Sequence, residues 1–319
     1  MKKLVVLFLS ALMIIGMAGC KGGSTGGEKG IKIGVSIYNF ADKWMTIYRT
    51  ELESYAKGLG YEIQIDDGQG SQDTQTGQVD NFIAQKFDVI IVNMVEPQAA
   101  SVVVAKCKEA NIPVVFINTE PSDADKELWP GKQTYVGAKA EESGTMEGML
   151  IVNLPDQGDL NGNGVVDYIM LTGNPANIDA PLRTEYSIKA LTDAGLKVNL
   201  LDEKCCMWMN DQAEQATSDF LVKYGKGKID VIFANNDDMA LGALAAVKNA
   251  GWTPGVDVYI VGVDAADDAV KAVEAGEMVG TVLNDAKGQS HKAADLAIEL
   301  AKGGTVDSKY TVPYQPVTK

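Results

Sequence analysis

The sequence predicts an α/β protein built from two doubly wound, parallel-sheet lobes. Three observations carry that reading. Short β-rich runs alternate strictly with longer helical stretches from Ile31 onward, the pattern of parallel sheets covered by helices. The strand candidates fall into two groups of equal size, which suits two open sheets better than one barrel. The groups also echo each other: Asp88-Val-Ile-Ile-Val-Asn93 resembles Asp230-Val-Ile-Phe-Ala-Asn235. In both, an acidic residue precedes a buried strand that ends in asparagine. The chain's 319 residues suffice for two domains of ordinary size.

Taken in order, the chain opens on a targeting segment. Lys2 and Lys3 precede a mostly apolar stretch, 4–17, too short for an ordinary membrane span, and Ala18-Gly19-Cys20 closes it. Residues 1–20 resemble a bacterial lipoprotein signal in which Cys20 becomes the lipidated first residue. A plain secretory signal with an incidental cysteine is the alternative. Residues 21–30, KGGSTGGEKG, are half glycine and read as a flexible tether. The expected location is extracytoplasmic, held to the membrane only through the lipid.

The run 31–37, IKIGVSI, is of strand type and then turns polar and aromatic at Tyr38, Asn39, Phe40, Asp42 and Trp44. Loops beyond the carboxyl ends of parallel strands are where ligands bind in open α/β sheets. A carboxylate and an indole two residues apart suit a partner that is both polar and flat. Equally, Asp42 can cap the next helix and Trp44 pack on it. Further strands are expected at 62–65, 89–92, 114–117 and 134–136, then at 166–171, 197–201, 231–234, 259–263 and 280–283. Helices are expected near 45–59, 72–86, 97–110, 140–154, 180–194, 210–224, 239–250, 265–275 and 285–301. Asn93, Asn118, Asn235 and Asp264 all stand where a buried strand ends. Singly each reads as a helix cap; together they suggest two strand-end rims facing across a cleft.

Charge excludes one class of function. The formal net charge is -15, whereas nucleic-acid binding needs a cationic surface. Such a balance fits a soluble, monomeric protein. Beyond Cys20 there are three cysteines, Cys107, Cys205 and Cys206. The odd number excludes complete internal pairing, and the spacing matches no zinc site.

The stretch Asp159-Leu-Asn-Gly-Asn-Gly-Val-Val-Asp167 places oxygen side chains at alternate positions of a Ca²⁺-loop pattern: Asp159, Asn161, Asn163 and Asp167. Gly164 falls where such a loop turns sharply, and Val165 would offer its carbonyl. The bidentate glutamate expected at the twelfth position is replaced by Met170, so the last ligand must come from elsewhere. An Asn-Gly turn that binds nothing is the plainer alternative. Asp179 and Arg183, four apart at the start of a helix, are either a surface ion pair or an acceptor and a forked donor aimed into a cleft.

Over nearly the whole chain after the tether, 31–313, the sequence resembles the galactose/glucose-binding proteins, the substrate receptors of sugar ABC transporters. The segments that carry this are IGVSIY, IVNMVEP, IPVVFINTEP, DLNGNG, FANNDDMA, VGVDA and GTVLNDA. The resemblance implies a type I periplasmic-binding-protein fold with a three-segment hinge near 138, 284 and 311. One lobe would comprise 31–138 with 284–311, and the other 139–283 with 312–319. It implies sugar contacts at Asp42, Trp44, Asn93, Asn177, Asp179, Arg183, Trp208, Asn236, Asp264 and Asn284. It implies Ca²⁺ ligands at Asp159, Asn161, Asn163, Val165 and Asp167, with Asp230 where the family has a remote glutamate. Asn177 stands where the family has histidine. The implied ligand is D-glucose or D-galactose, with ribose or xylose as the alternative, and the implied partners are an ABC permease and a chemotaxis receptor.

The residue types suit a pyranose. Its hydroxyls both donate and accept, so carboxylates, asparagines and Arg183 can all engage them. Its C–H faces suit two indoles, Trp44 and Trp208. The rival enzyme reading, a secreted glycosidase using Asp42, Asp179 or Asp264, lacks a visible activated nucleophile. A regulator of the same fold would need a DNA-binding helix pair where this chain has its signal segment.

Overall fold

The structure is a computed structural model and describes residues 30–319. The expected signal segment, Cys20 and the expected tether up to residue 29 lie outside the described residues. Six strands form one sheet in the order β11-β5-β4-β3-β1-β2, all parallel. They are β1 (Lys32–Ile37), β2 (Glu62–Asp67), β3 (Val89–Val92), β4 (Val114–Ile117), β5 (Gln133–Gly137) and β11 (Lys309–Thr311). A second sheet has the order β7-β6-β8-β9, with β6 (Val166–Thr172), β7 (Val198–Cys205), β8 (Val231–Ala234) and β9 (Tyr259–Val261). Single bridges from Val261 to Gly280 and from Asp264 to Leu283 join it to β10 (Thr281–Leu283). That strand pairs antiparallel with β12 (Gln315–Val317).

Burial explains the run composition. The central strands β3, β4 and β8 are buried at every residue, because helices cover both faces, so their sequences lack alternation. The edge strands β2 and β7 are partly exposed and carry Glu62, Asp66, Asp202 and Glu203, charges that discourage pairing with another chain. The helices are α1 (Lys43–Gly58), α2 (Gln72–Ala84), α3 (Ala100–Ala110), α4 (Asp123–Lys126), α5 (Ala140–Val152), α6 (Asp179–Asp193), α7 (Asn210–Tyr224), α8 (Asp237–Asn249), α9 (Asp267–Ala275) and α10 (Ala286–Ala301). Among the described residues no helix is long and apolar enough to cross a membrane.

The chain passes between the sheets three times: from β5 to α5, from β10 to α10 and from β11 to β12. Several expectations need correction. Two strands, β11 and β12, were not expected; each has three residues, with partial exposure and no apolar run. The short α4 is a further element outside the expected pattern, and 97–110 is a 3₁₀ turn (Pro97–Ala99) leading into α3. Helices α1 and α8 begin two residues earlier than expected. Their caps, Asp42 and Asn236, accept from the backbone N–H groups of Met45 and Met239 and extend the first turn.

Candidate functional site

A cleft between the two sheets is lined by Tyr38, Asp42, Trp44, Met45, Asn118, Asn177, Asp179, Arg183, Trp208, Asn236, Asp264 and Asn284. Nine of the ten sugar-contact candidates are therefore walls of one cleft. The tenth, Asn93, is placed differently. It is fully buried behind the wall, donating to the Ile117 carbonyl, Asn118 Oδ1 and Thr119 Oγ1 at 3.1–3.2 Å. Its own Oδ1 accepts from the Tyr38 N–H at 3.4 Å. Asn93 thus ties the loop after β1 to the loop after β4, and Asn118 takes the place at the surface of the cleft.

The first rim is built by the loop from β1 into α1. Asp42 caps α1 and also lines the cleft. Its Oδ1 caps α1 through the Met45 N–H at 2.8 Å, while Oδ2 accepts from the Tyr38 hydroxyl at 2.5 Å. Burial raises the Asp42 carboxyl above its ordinary value, against the hydrogen bonds from Met45 and Tyr38. Trp44 likewise packs and lines. Its ring lies tilted against Tyr48 at 5.4 Å, and its Nε1 donates to the Asn284 carbonyl at 2.9 Å. Asn284 in turn donates to Asp264 Oδ1 at 3.2 Å and accepts from Gln289 Nε2 at 2.6 Å.

The second rim is organised around Arg183, which is almost fully buried. Nη1 donates to the Asn235 carbonyl at 2.7 Å, and Nη2 to the Tyr314 hydroxyl at 3.1 Å and Asp179 Oδ2 at 3.4 Å. Asp264 Oδ1 lies 3.8 Å from Nη1. Burial opposes the guanidinium charge, but Tyr314, Asp179 and Asp264 together outweigh it and hold Arg183 above its ordinary value. Burial raises Asp179 and pushes Asp264 well up, with Arg183 pulling each of them back down. Asn177 accepts from the Asp179 N–H at 3.0 Å, and Asn236 donates to the Trp208 carbonyl at 3.3 Å.

Trp208 sits over Gly173, directly after β6. A methyl group at Gly173 would come within 2.2 Å of the indole, so only glycine leaves room for the ring there. The Arg183 guanidinium lies 5.7 Å from the Trp208 ring. Backbone strain concentrates at this cleft. Asn118, Met207, Trp208, Asp264 and Ala265 all have positive φ, a cost that clusters at functional sites. Lys43 of α1 and Asp238 of α8 form an ion pair that bridges the two rims. Tyr38, Asn118, Gly173 and Tyr314 join the site beyond the residues expected from the sequence. Tyr38 and Asn118 stand in the very loops that the strand ends pointed to, whereas Tyr314 comes from the last crossing and carries no local signal.

The turn 159–167 is a separate oxygen cluster. Asp230, remote in sequence, arrives over it: Oδ1 accepts from the Asn161 N–H at 3.2 Å and Oδ2 from the Asp167 N–H at 2.9 Å. Asp159 accepts from the N–H groups of Asn163 and Gly164, and Asn163 Oδ1 from the Val165 N–H. Burial, with the charges of Asp167 and Asp159 behind it, raises Asp230 above its ordinary value. Asn161 and Asn163 present amide nitrogens to Asp230 and Asp167 at 2.9–3.2 Å. Which end of an amide faces inward follows from its partners, and each amide also owns an oxygen. The donor set therefore fits a hard cation. Among the described residues no group of three or more His, Cys, Asp or Glu side chains alone is placed to hold a metal, so amide and backbone oxygens would have to contribute.

The periplasmic binding protein domain matches residues 33–305 of the chain. The chain belongs to this family. Relatives within it include the D-galactose/methyl-galactoside binding periplasmic protein MglB of Haemophilus influenzae, 34% identical over 90% of this chain and 89% of its own. A putative rhizopine-binding protein of Rhizobium meliloti is 37% identical over 90% of each chain. The fold matches an ABC transporter solute binding protein from Bacillus halodurans with bound myo-inositol. That match has a TM-score of 0.79 at 28% identity, covering 92% of this chain and 96% of the other. Periplasmic binding proteins of this kind bind and deliver solutes, and the chain is not an enzyme. The glycosidase alternative falls with that assignment.

Proposed function

We propose that the chain is the substrate receptor of a sugar ABC transporter and binds a monosaccharide, D-glucose or D-galactose, in the cleft between its lobes. The observation that carries this reading is the composition of the two rims. One buried guanidinium, three aspartates, and asparagines that donate and accept meet two indoles from opposite rims. Hydroxyls of a ring fit the first set, and its C–H faces fit the second. Contacts to both lobes give the sugar a higher affinity for the closed form, which is how binding would drive closure. The closed form then presents one surface to a membrane permease and to a chemoreceptor, with Cys20 as the lipid anchor.

A cyclitol is the second reading. A matched structure holds myo-inositol. Asn177 in place of the family histidine changes one hydroxyl partner. Calorimetric titration with glucose, galactose, xylose, ribose and myo-inositol separates these readings. Binding of glucose or galactose at micromolar concentration or below supports the first. Binding of myo-inositol alone would replace it with the second, and silence from all five would remove both.

We also propose Ca²⁺ at the turn 159–167, held by Asp159, Asn161, Asn163, the Val165 carbonyl, Asp167 and Asp230. The ion would supply structural cross-linking of the turn to β8. A chelator is expected to lower the melting temperature while sugar affinity changes little. No change in a sample first shown to carry calcium would remove the site.

A further inference from the structure

Glu147 is a fully buried carboxyl on α5, outside both the lining of the cleft and the turn 159–167. Neither of its oxygens has a hydrogen-bond partner. The Ala234 N–H reaches toward it from β8 without closing a bond of ordinary geometry. An unpartnered buried carboxyl is costly, so its place in the fold calls for a reason. Helix α5 is pressed against α6 at this point. A methyl group at Gly144 would meet the Arg183 carbonyl oxygen at 2.8 Å, and one at Gly148 the Ser187 carbonyl oxygen at 2.2 Å. The two glycines bring the α5 backbone onto the segment of α6 that carries Arg183. On that segment Arg183 Nε is also buried and unpartnered, the one guanidinium nitrogen that has no acceptor. A buried acid and a buried base, each incompletely satisfied, therefore lie on two helices in closest contact.

We infer that Glu147 is a positioning residue for Arg183, backing the guanidinium from α5 so that Nη1 and Nη2 keep their places against Asn235, Tyr314 and Asp179 at the cleft. Burial pushes the Glu147 carboxyl well above its ordinary value, with the Arg183 charge pulling it down and Asp237 adding to the rise. Glu147 thus acts as the neutral acid. It presents polarity to Arg183 without competing with Asp179 and Asp264 for the charge. Ionised, it would draw the guanidinium toward α5 and away from the cleft. The charged and titratable groups facing it are Arg183 from α6 and Asp237 from α8, with Asp179, Asp264 and Tyr314 beyond them around Arg183.

This inference rests on the sugar-binding reading, and the test keeps the two apart. Sugar affinity is measured by titration between pH 6 and 10 for the wild type, Glu147→Gln and Glu147→Leu. The Gln variant keeps shape and polarity and is expected within about twofold of wild type at pH 7, without the alkaline decline that wild type shows. The Leu variant is expected to lose about tenfold at every pH, the size of one misplaced charge-assisted contact. If Glu147→Leu does not fold, the pH profile of Glu147→Gln decides alone. An alkaline decline that persists in Glu147→Gln belongs to Asp264 and overturns the inference, as does a wild type with no decline. A Leu variant that binds like wild type also overturns it. Absence of binding by wild type itself is failure of the sugar reading instead. In that event melting still reports on the acid. Glu147→Gln should be the more stable protein, by a margin that widens from pH 5 to pH 8.

Discussion

The cleft and the turn 159–167 are both clusters of oxygen side chains, yet they are assembled in opposite ways. The turn draws five of its six proposed ligands from nine consecutive residues, and only Asp230 is imported. The cleft draws its walls from seven separate stretches, from Tyr38 to Asn284, and locks them with Tyr314. Charge is also handled differently. In the cleft a buried guanidinium holds Asp179 and Asp264, and burial raises each acid. In the turn the acids are held by backbone N–H groups and asparagine amides alone, among the described contacts. A site that sets its acids around a buried guanidinium and raises them by burial suits a neutral, hydroxyl-bearing ligand. A site that leaves negative charge over suits a cation.

Breaking the cleft at its centre gives the largest expected effect. Arg183→Met should weaken sugar binding at least about a hundredfold, since more than one charge-assisted contact goes. The chelator-induced drop in melting temperature should remain, because the turn does not use Arg183. A parallel loss of both would show that the two sites are one cooperative unit.

Removing one aromatic wall is the next step. Trp208→Ala should cost about tenfold in sugar affinity, the scale of one lost aromatic face. Titration calorimetry reads this directly, and an unchanged affinity would place the sugar elsewhere in the cleft.

The turn can be sharpened rather than broken. Asp230→Glu lengthens the imported ligand and should raise calcium affinity by roughly tenfold, by allowing both oxygens to coordinate. Sugar affinity should stay within about twofold. Weaker calcium binding in Asp230→Glu would mean that the shorter carboxylate already fits.

Stability should follow the buried acids. Asp42, Asp179, Asp237, Asp264 and Glu147 all have raised folded-state values, Asp237 reaching about 6. The folded chain thus keeps protons that the unfolded chain has released, and stability falls as pH rises from each unfolded value through the folded one. For Asp237 that window runs from 3.8 to about 6. Asp123, Asp202, Asp257 and Asp268 are lowered; they act only near and below the ordinary aspartate value. Melting temperature should therefore rise as pH falls from 8 to 5, by a few degrees. A fall over that range would contradict the raising of these buried carboxyls.

The smallest effect belongs to the bridge between rims. Lys43 is largely exposed although its partner Asp238 is largely buried, and with the ammonium in solvent such a pair contributes about 0–1 kcal/mol. Lys43→Ala should change sugar affinity by no more than about threefold, and less at high salt.

How much was legible before the fold was known differs between these regions for one physical reason. The turn is local, so the spacing of Asp159, Asn161, Asn163, Gly164 and Asp167 spells it out. The sheets are legible because buried parallel strands such as 89–92 and 231–234 must be continuously apolar. The strand-end polar residues show where a rim must lie. The identity of most cleft walls, however, came through family resemblance, since no local rule distinguishes a cap from a contact. Asp42 and Asn236 prove to be caps as well as walls.

The sequence alone determined the alternation of strands and helices, the doubling of the unit, the acidic surface and the oxygen-rich turn, because each depends on neighbours along the chain. Tertiary structure decided the rest. It moved Asn93 behind the wall and put Asn118 at the surface. It set Trp208 on Gly173, carried Tyr314 back to Arg183, and pressed α5, through Gly144 and Gly148, against the helix that bears Arg183. Those placements depend on which elements pack together, and crossings far apart in sequence bring them about.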